Sequence, residues 1–236
     1  MRSTHCSFCG ADFTSGRYDW VVSAAVTSWF VGAPRLTTAF GGEELGRDAG
    51  IAAIAADDSA FDEAAFLDRA RTGFMTLQHA WQERDVDPAR AFMSPGLYLG
   101  WSSQVRQLID LHKRNLLDGL LIDDAQIVRV VHGGATDDVT VRFAAESADY
   151  EIDDRSGRKV FGSRRLSDWV EYWTFQRSRG ARTVAAGIAD KVCPNCGAPL
   201  SINQIGDCAY CGAAVTSGRF DWVLSRIEQE EEWAAA

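Results

Sequence analysis

A spacing constrains this chain more than any other feature. CPNCGAPLSINQIGDCAYCG at residues 193–212 reads Cys-x2-Cys-x11-Cys-x2-Cys. Each Cys-x-x-Cys pair can form a tight knuckle that turns two thiolates onto one ion. Gly197 and Gly212 follow the second cysteine of each pair. A glycine there lets the backbone turn its N–H groups toward sulfur. Cys193, Cys196, Cys208 and Cys211 would then close the tetrahedral shell of Zn²⁺. A shell with no open position is structural and activates no water. An iron site of the same geometry and a redox or disulfide role are the competing readings. So short a segment has few large apolar side chains, so the metal would supply much of its folding energy.

The second half of that ribbon occurs twice. CSFCGADFTSGRYDWVVS starts at Cys6 and CAYCGAAVTSGRFDWVLS at Cys208, and twelve of the eighteen positions are identical. Cys6 and Cys9 are therefore further metal candidates. Only five residues precede Cys6, so a partner pair has no room there. Two explanations fit. Either the natural start lies upstream of Met1, or Cys6 and Cys9 complete a site with a second chain, which would make a homodimer. The intact TSGRYDW tail favours the first.

All six cysteines fall in such pairs. That is unlike the spread-out cysteines of a secreted disulfide scaffold and fits reduced thiols in the cytoplasm. The first ten residues lack the apolar core of a secretory signal. The longest weakly polar runs, 20–33 and 49–56, fall short of the roughly 18–20 residues that span a bilayer. Hydrophobic residues make up 46% of the 236, enough for a folded core. The formal net charge of −9 counts against broad nucleic-acid binding.

Between the cysteine blocks the pattern predicts an α+β domain over 59–190. Residues 1–31 hold the partial knuckle and a short helix, DWVVSAAVTSWF. Residues 32–58, rich in Gly, Ala and Asp, read as a linker with at most one weak helix. Phe66, Ala70, Phe74, Leu77 and Trp81 then recur at helical spacing, behind a capping box at Ser59 and Asp62. DPARAFM starts a short second helix with Pro88 in its first turn. A third carries Leu97, Trp101, Val105, Leu108 and His112 inward and ends at Asn115–Gly119. Strands follow at 125–133, 137–153 and 159–177, with 180–192 as a closing strand. Helices followed by an antiparallel meander put the helices on one face of a curved sheet. Residues 191–236 form the ribbon and an acidic helical tail, with Trp222 packed on the ribbon.

LQHAWQERD at 77–85, the pair Gln104 and Asn115, and EYWTFQR at 171–177, followed by the terminal CPNCGAPL, carry a resemblance. Roughly residues 58–190 resemble bacterial relatives of the C-terminal domain of translocase of the inner mitochondrial membrane subunit 44. The resemblance implies a cone-shaped, nuclear transport factor 2-like fold with a large pocket. It also implies a scaffold or binding role and no enzymatic one. Basic amphipathic helices that would dock such a protein on a membrane are not evident in this sequence.

Tyr98, Trp101, Tyr150, Trp169, Glu171 and Trp173 are the residues expected to line that pocket, to grip a protein segment or an apolar ligand. Related cone folds include isomerases and dehydratases, so Asp85, Asp149 and Glu171 are the acidic candidates for an enzymatic alternative. Asp85 reads as a cap, and Glu171 as a pocket carboxylate or an ion-pair partner of Arg142 or Arg177. Nucleophile elbows and phosphate loops are absent from the sequence. A nucleic-acid or ribosome-associated role would need Arg164, Arg165, Arg177, Arg179 and Arg182 to form one patch.

Overall fold

The computed structural model describes residues 42–183, 191–203 and 206–234. Cys6, Cys9 and the short helix expected after them lie outside the described residues. The chain is first seen in strand β1 (Glu43–Leu45), which leads into helix α1 (Arg47–Asp57). The expected linker therefore does not hold over 43–58. Its small residues serve close packing instead of flexibility. A Cβ at Gly50 would meet the Val130 side chain at 2.3 Å, and Ile54 is fully buried.

Helix α2 (Glu63–Glu83) is capped by Asp62 itself, whose carboxylate accepts the Ala65 N–H at 2.7 Å, and not by a Ser59 box. Its expected inner face is buried at Phe66, Ala70, Phe74 and Leu77. A 3-10 turn (Asp87–Phe92) follows, entered through the hydrogen bond from the Asp87 N–H to the Asp85 carboxylate. Helix α3 (Pro95–Asp110) ends earlier than its apolar spacing suggests. His112 is exposed at φ 54°, outside the helix and not on its inner face. Residues 115–119, expected to end the helix, are already strand, which begins at Lys113. The pairing of residues 113–118 with residues 148–153 outweighs any helical preference.

That strand, β2 (Lys113–His132), pairs with β3 (Thr136–Asp153), and each is longer than its apolar core. Register slips between Asp118 and Leu121, Ile122 and Asp124, and Ile127 and Arg129 bend the ribbon they form. The single long strand expected over 159–177 is two, β4 (Lys159–Gly162) and β5 (Ser167–Ser178). Gly162 makes the break. It sits at φ 72°, where a Cβ would lie 2.4 Å from the Asp149 carbonyl oxygen. β4 pairs with the far half of β3 and β5 with the near half.

The last strand, β6 (Val223–Gln229), lies where a helical tail was expected. Val223 and Leu224 are buried, and β6 pairs antiparallel with β5 from Glu171↔Gln229 to Gln176↔Val223. Its other edge is held at Ser94, whose N–H donates to the Leu224 carbonyl at 2.8 Å. No strand occurs at 181–183, and residues 184–190 of the expected closing strand lie outside the described residues. Only Glu230–Ala234 (α4) is helical, and its Trp233 stacks on Tyr172 at 4.3 Å. The strand order is β1-β2-β3-β5-β6, all antiparallel. The fold is thus α+β, with α1, α2 and α3 on one face of a bent antiparallel sheet and Trp233 of the short α4 against Tyr172 on the other.

The core sits between α2 and the sheet. Phe74 stacks on Phe143 at 4.6 Å and tilts against Trp173 at 4.8 Å. Trp222 joins this core and not the ribbon, edge-on to Phe66 at 5.3 Å, with the Arg177 guanidinium 4.5 Å from its ring. Arg177 and Asp58 form an ion pair at 2.7 Å with both side chains 2% exposed. Asp58 also accepts the N–H and hydroxyl of Thr183 at 2.8 Å. Burial alone would raise the Asp58 carboxyl, but the hydrogen bonds from Thr183 and Arg177 outweigh it and hold it below its ordinary value.

Candidate functional site

Two places concentrate chemistry. The first is the ribbon, which leaves the sheet after β5 and returns as β6. Its two knuckles are built alike. Gly197 (φ 72°) and Gly212 (φ 69°) each donate their N–H to the carbonyl of the first cysteine of their pair at 2.9 Å. Cys193 Sγ lies 3.8 Å from Cys211 Sγ, and Cys196 Sγ 4.0 Å from Cys208 Sγ. All four sulfurs lie within 4.8 Å of one another. One ion with Zn–S bonds of about 2.3 Å would place its sulfurs about 3.8 Å apart, so the donor set fits a single tetrahedral metal. Asn195 donates from its side chain to Cys211 Sγ at 3.5 Å, and this bond, with the backbone hydrogen bond from Ala213, lowers the Cys211 thiol to about 6. Cys196 moves the other way: against the backbone hydrogen bond with Ala198, desolvation and its hydrogen bonds to the other three thiols push it up to about 12, and a metal would bind all four as thiolates. Cys193 and Cys208 are buried with Val215, against Ala91 of the 3-10 turn.

The second place is a cavity of about 370 Å³ at the open end of the sheet. α2 brings Trp81 and Gln78, and α3 brings Trp101 and Gln104. The strands supply Asn115, Asp149, Glu151, Trp169, Glu171 and Gln229. Trp81 and Trp101 meet edge to face at 4.9 Å. The Trp81 indole N–H donates to Asn115 Oδ1 at 3.0 Å, and Asn115 Nδ2 donates to Asp149 at 2.6 Å. Glu171 accepts from the Trp173 indole at 2.8 Å, from Gln229 at 2.7 Å and, more weakly, from Gln78 at 3.4 Å. Burial pushes the Glu171 carboxyl above its ordinary value and nearby Asp149 adds to this, while the Trp173 and Gln229 hydrogen bonds work against it.

Of the expected pocket residues, Trp101, Trp169 and Glu171 come together. Trp173 is fully buried in the core behind them and reaches the site through its hydrogen bond to Glu171. Tyr98 is elsewhere. Its hydroxyl donates to Asp87, its ring lies under Arg90 at 4.2 Å, and it borders a separate cavity of about 300 Å³ beside Gly206 and Thr216. Tyr150 lies on the opposite face of β3, because successive side chains alternate and its neighbours Asp149 and Glu151 both face the cavity. The Tyr150 hydroxyl donates to Asp118 instead.

Glu171 pairs with neither Arg142 nor Arg177, since Arg177 is taken by Asp58. The five arginines considered for nucleic acid do not gather. Arg164 and Arg165 precede one end of β5, Arg179 and Arg182 follow the other, and Arg177 is buried. Gln104, Asn115, Trp81 and Gln229 line the cavity without being among the residues expected there. Gln104 and Asn115 carry the family resemblance, and both line the cavity. Gln229 has no such signal, because the acidic run beside it suits a helix better than the strand it ends. A larger space of about 520 Å³ runs along the ribbon seam between Thr72, Pro88, Phe92, Leu200 and Ile202.

Among the described residues no helix is long and apolar enough to cross a membrane. No curated protein matches the chain. Residues 47–185 match the family model of the Tim44-like domain, a match that supports a binding or scaffold role in general. Covering more than half of the chain and containing α1 to β5, with the cavity walls they build, this match makes the protein a member of the Tim44-like domain family.

Proposed function

We propose that this chain is a non-enzymatic binding module whose cavity receives a segment of a partner protein, and whose ribbon is a structural zinc centre that serves as a docking surface. The observation that carries this reading is the cavity itself. It is open to solvent and large enough for a side chain or short segment, and three tryptophans stand in its wall. Zinc in the four-thiolate shell would act as a cross-link between the two knuckles. Because the ribbon runs directly into β6, that cross-link would also anchor the strand that carries Gln229 to the cavity. We place the protein in the cytoplasm, where thiols stay reduced.

A photoreactive phenylalanine analogue at Gln104, in the full chain, tests the main claim. Covalent capture of a protein that is lost in a Trp101→Leu background is the expected result. Capture of nucleic acid alone, or capture indifferent to Trp101, would overturn it. Metal analysis tests the ribbon and the Cys6/Cys9 pair together. One zinc per chain fits one ribbon, and about 1.5 fits a Cys6/Cys9 pair shared in a homodimer.

A second reading has one observation in its favour. The raised Glu171 carboxyl in a cavity is a feature of proton-transfer sites. An isomerase or dehydratase would lose turnover in Glu171→Gln with unchanged substrate affinity, whereas a binding pocket would change affinity alone.

A further inference from the structure

We propose that the cavity at the open end of the sheet is selective for an organic cation, an alkylammonium or guanidinium head on an aliphatic stem. This deepens the binding role proposed above and rests on it.

Two independent features of the wall ask for the same ligand. The first is charge. Asp149 and Glu171 both face the cavity, and among the described residues neither has an ion-pair partner. Their hydrogen bonds come from neutral donors only: Asn115 to Asp149, and Trp173, Gln229 and Gln78 to Glu171. Glu151 is different, since Lys113 sits on it at 2.8 Å. The remaining lining residues on α2, α3, β2 and β6 are Gln78, Gln104, Asn115, Leu117 and Gln229, none of them cationic. A carboxylate partly withdrawn from water without a positive partner, as Glu171 is, is costly, and a cation entering the cavity past Asp149 on the exposed rim supplies that partner.

The second feature is aromatic. Trp81 and Trp101 stand at 68° to each other in the same wall, and Trp169 adds a third indole. Tryptophan presents the most negative aromatic face to a cation, and walls of this kind hold ammonium groups. The Trp81 indole N–H is already committed to Asn115, and that of Trp169 to Ser147. These rings therefore offer the ligand apolar surface and π charge, with their hydrogen-bond donors spent. An apolar occupant would strip water from Asp149 and Glu171 and give nothing back, and an anion would be repelled by both.

Two sources present this chemistry: a lysine or arginine side chain on a protein segment, and a free small amine. Titration of the full chain at low salt, followed by tryptophan fluorescence and calorimetry, separates them. The probes are choline against its neutral carbon isostere 3,3-dimethylbutan-1-ol, and a short lysine peptide against the same peptide with norleucine. Each cation should bind at least tenfold more tightly than its neutral partner. The preference should shrink severalfold in Glu171→Gln, and Trp101→Leu should abolish binding of both. If Glu171→Gln fails to fold, Asp149→Asn on the exposed rim gives the same reading.

Tighter binding of the lysine peptide than of choline would assign the source to a protein segment, and the reverse to a small amine. Both support the proposal. Equal binding of cation and neutral isostere, or no binding of either cation at millimolar concentration, overturns it. If crosslinking at Gln104 still captures a protein while both cations fail, the inference falls and the binding role stands. If choline binds and no protein is captured, the inference stands and the protein-segment role falls.

Discussion

The ribbon and the cavity lie at different places on one chain and are held together by different means. The ribbon has a small apolar centre, Cys193, Cys208 and Val215, and its order depends on four sulfurs meeting. The cavity is held by a core many times larger, with Phe74, Phe143 and Trp173 behind its wall. The first is a short-range device that a spacing of cysteines can specify. The second exists only because two helices and four strands converge. Yet the two are joined, because the ribbon exits into β6, and β6 completes the cavity at Gln229.

The most severe way to break this pair is to remove the metal. Chelation, or Cys208→Ser, should unfold the ribbon and release β6. Binding free energies of structural zinc sites start at about 10 kcal/mol, and 1 kcal/mol moves the Tm of a domain this size by about 2–4 °C, so a fall in Tm on the order of 20 °C or more is expected. Hydrogen exchange should show early loss of protection at Val223–Gln229 while β2 and β3 remain protected. Equal loss across the whole sheet would mean that the ribbon and the sheet are one cooperative unit.

Next in size is Asp58→Ala, which leaves Arg177 buried without its partner and should cost about 3–5 kcal/mol by denaturant unfolding. Its pH signature has a definite sign. The folded-state carboxyl is held below its ordinary value, so the stability it contributes is full above the unfolded value of about 3.9. That contribution is lost as pH falls through the lower folded value, and the variant should lack this limb of the acid-stability curve.

Gly162→Ala should be milder, on the order of 1–3 kcal/mol, because it strains one positive-φ residue against β3. Thermal unfolding would register it, with ribbon metal content unchanged. Smallest for the fold is Trp101→Leu. This residue is half-buried at the cavity wall, so the loss of stability should stay near 1 kcal/mol while ligand binding disappears. Trp173→Ala would not make this distinction, since its fully buried ring would take the core with it.

Much of the molecule was legible in the residues. The apolar face of α2, the alternation of Val139, Val141 and Phe143, and the Pro88 turn each follow from local periodicity. Errors cluster where a long-range contact overrides a local preference. The Gly- and Ala-rich stretch before Asp58 looked flexible, but it packs on Val130 through its missing side chains. SRIEQ, next to an acidic run, looked helical, but an open edge of β5 made it a strand. Tyr98 and Tyr150 had the right chemistry for a pocket, but face other surfaces.

By itself, the sequence determined the four-thiol centre and the α+β class. Both depend on spacings of a few residues, which the chain carries locally. Which aromatics and carboxylates share a cavity, and that a ribbon is threaded between two neighbouring strands, only the tertiary structure decided. Those facts depend on pairings across many tens of residues, such as Glu171 with Gln229 and Asp58 with Arg177, where the stabilising contact exists only once both partners have been folded into place.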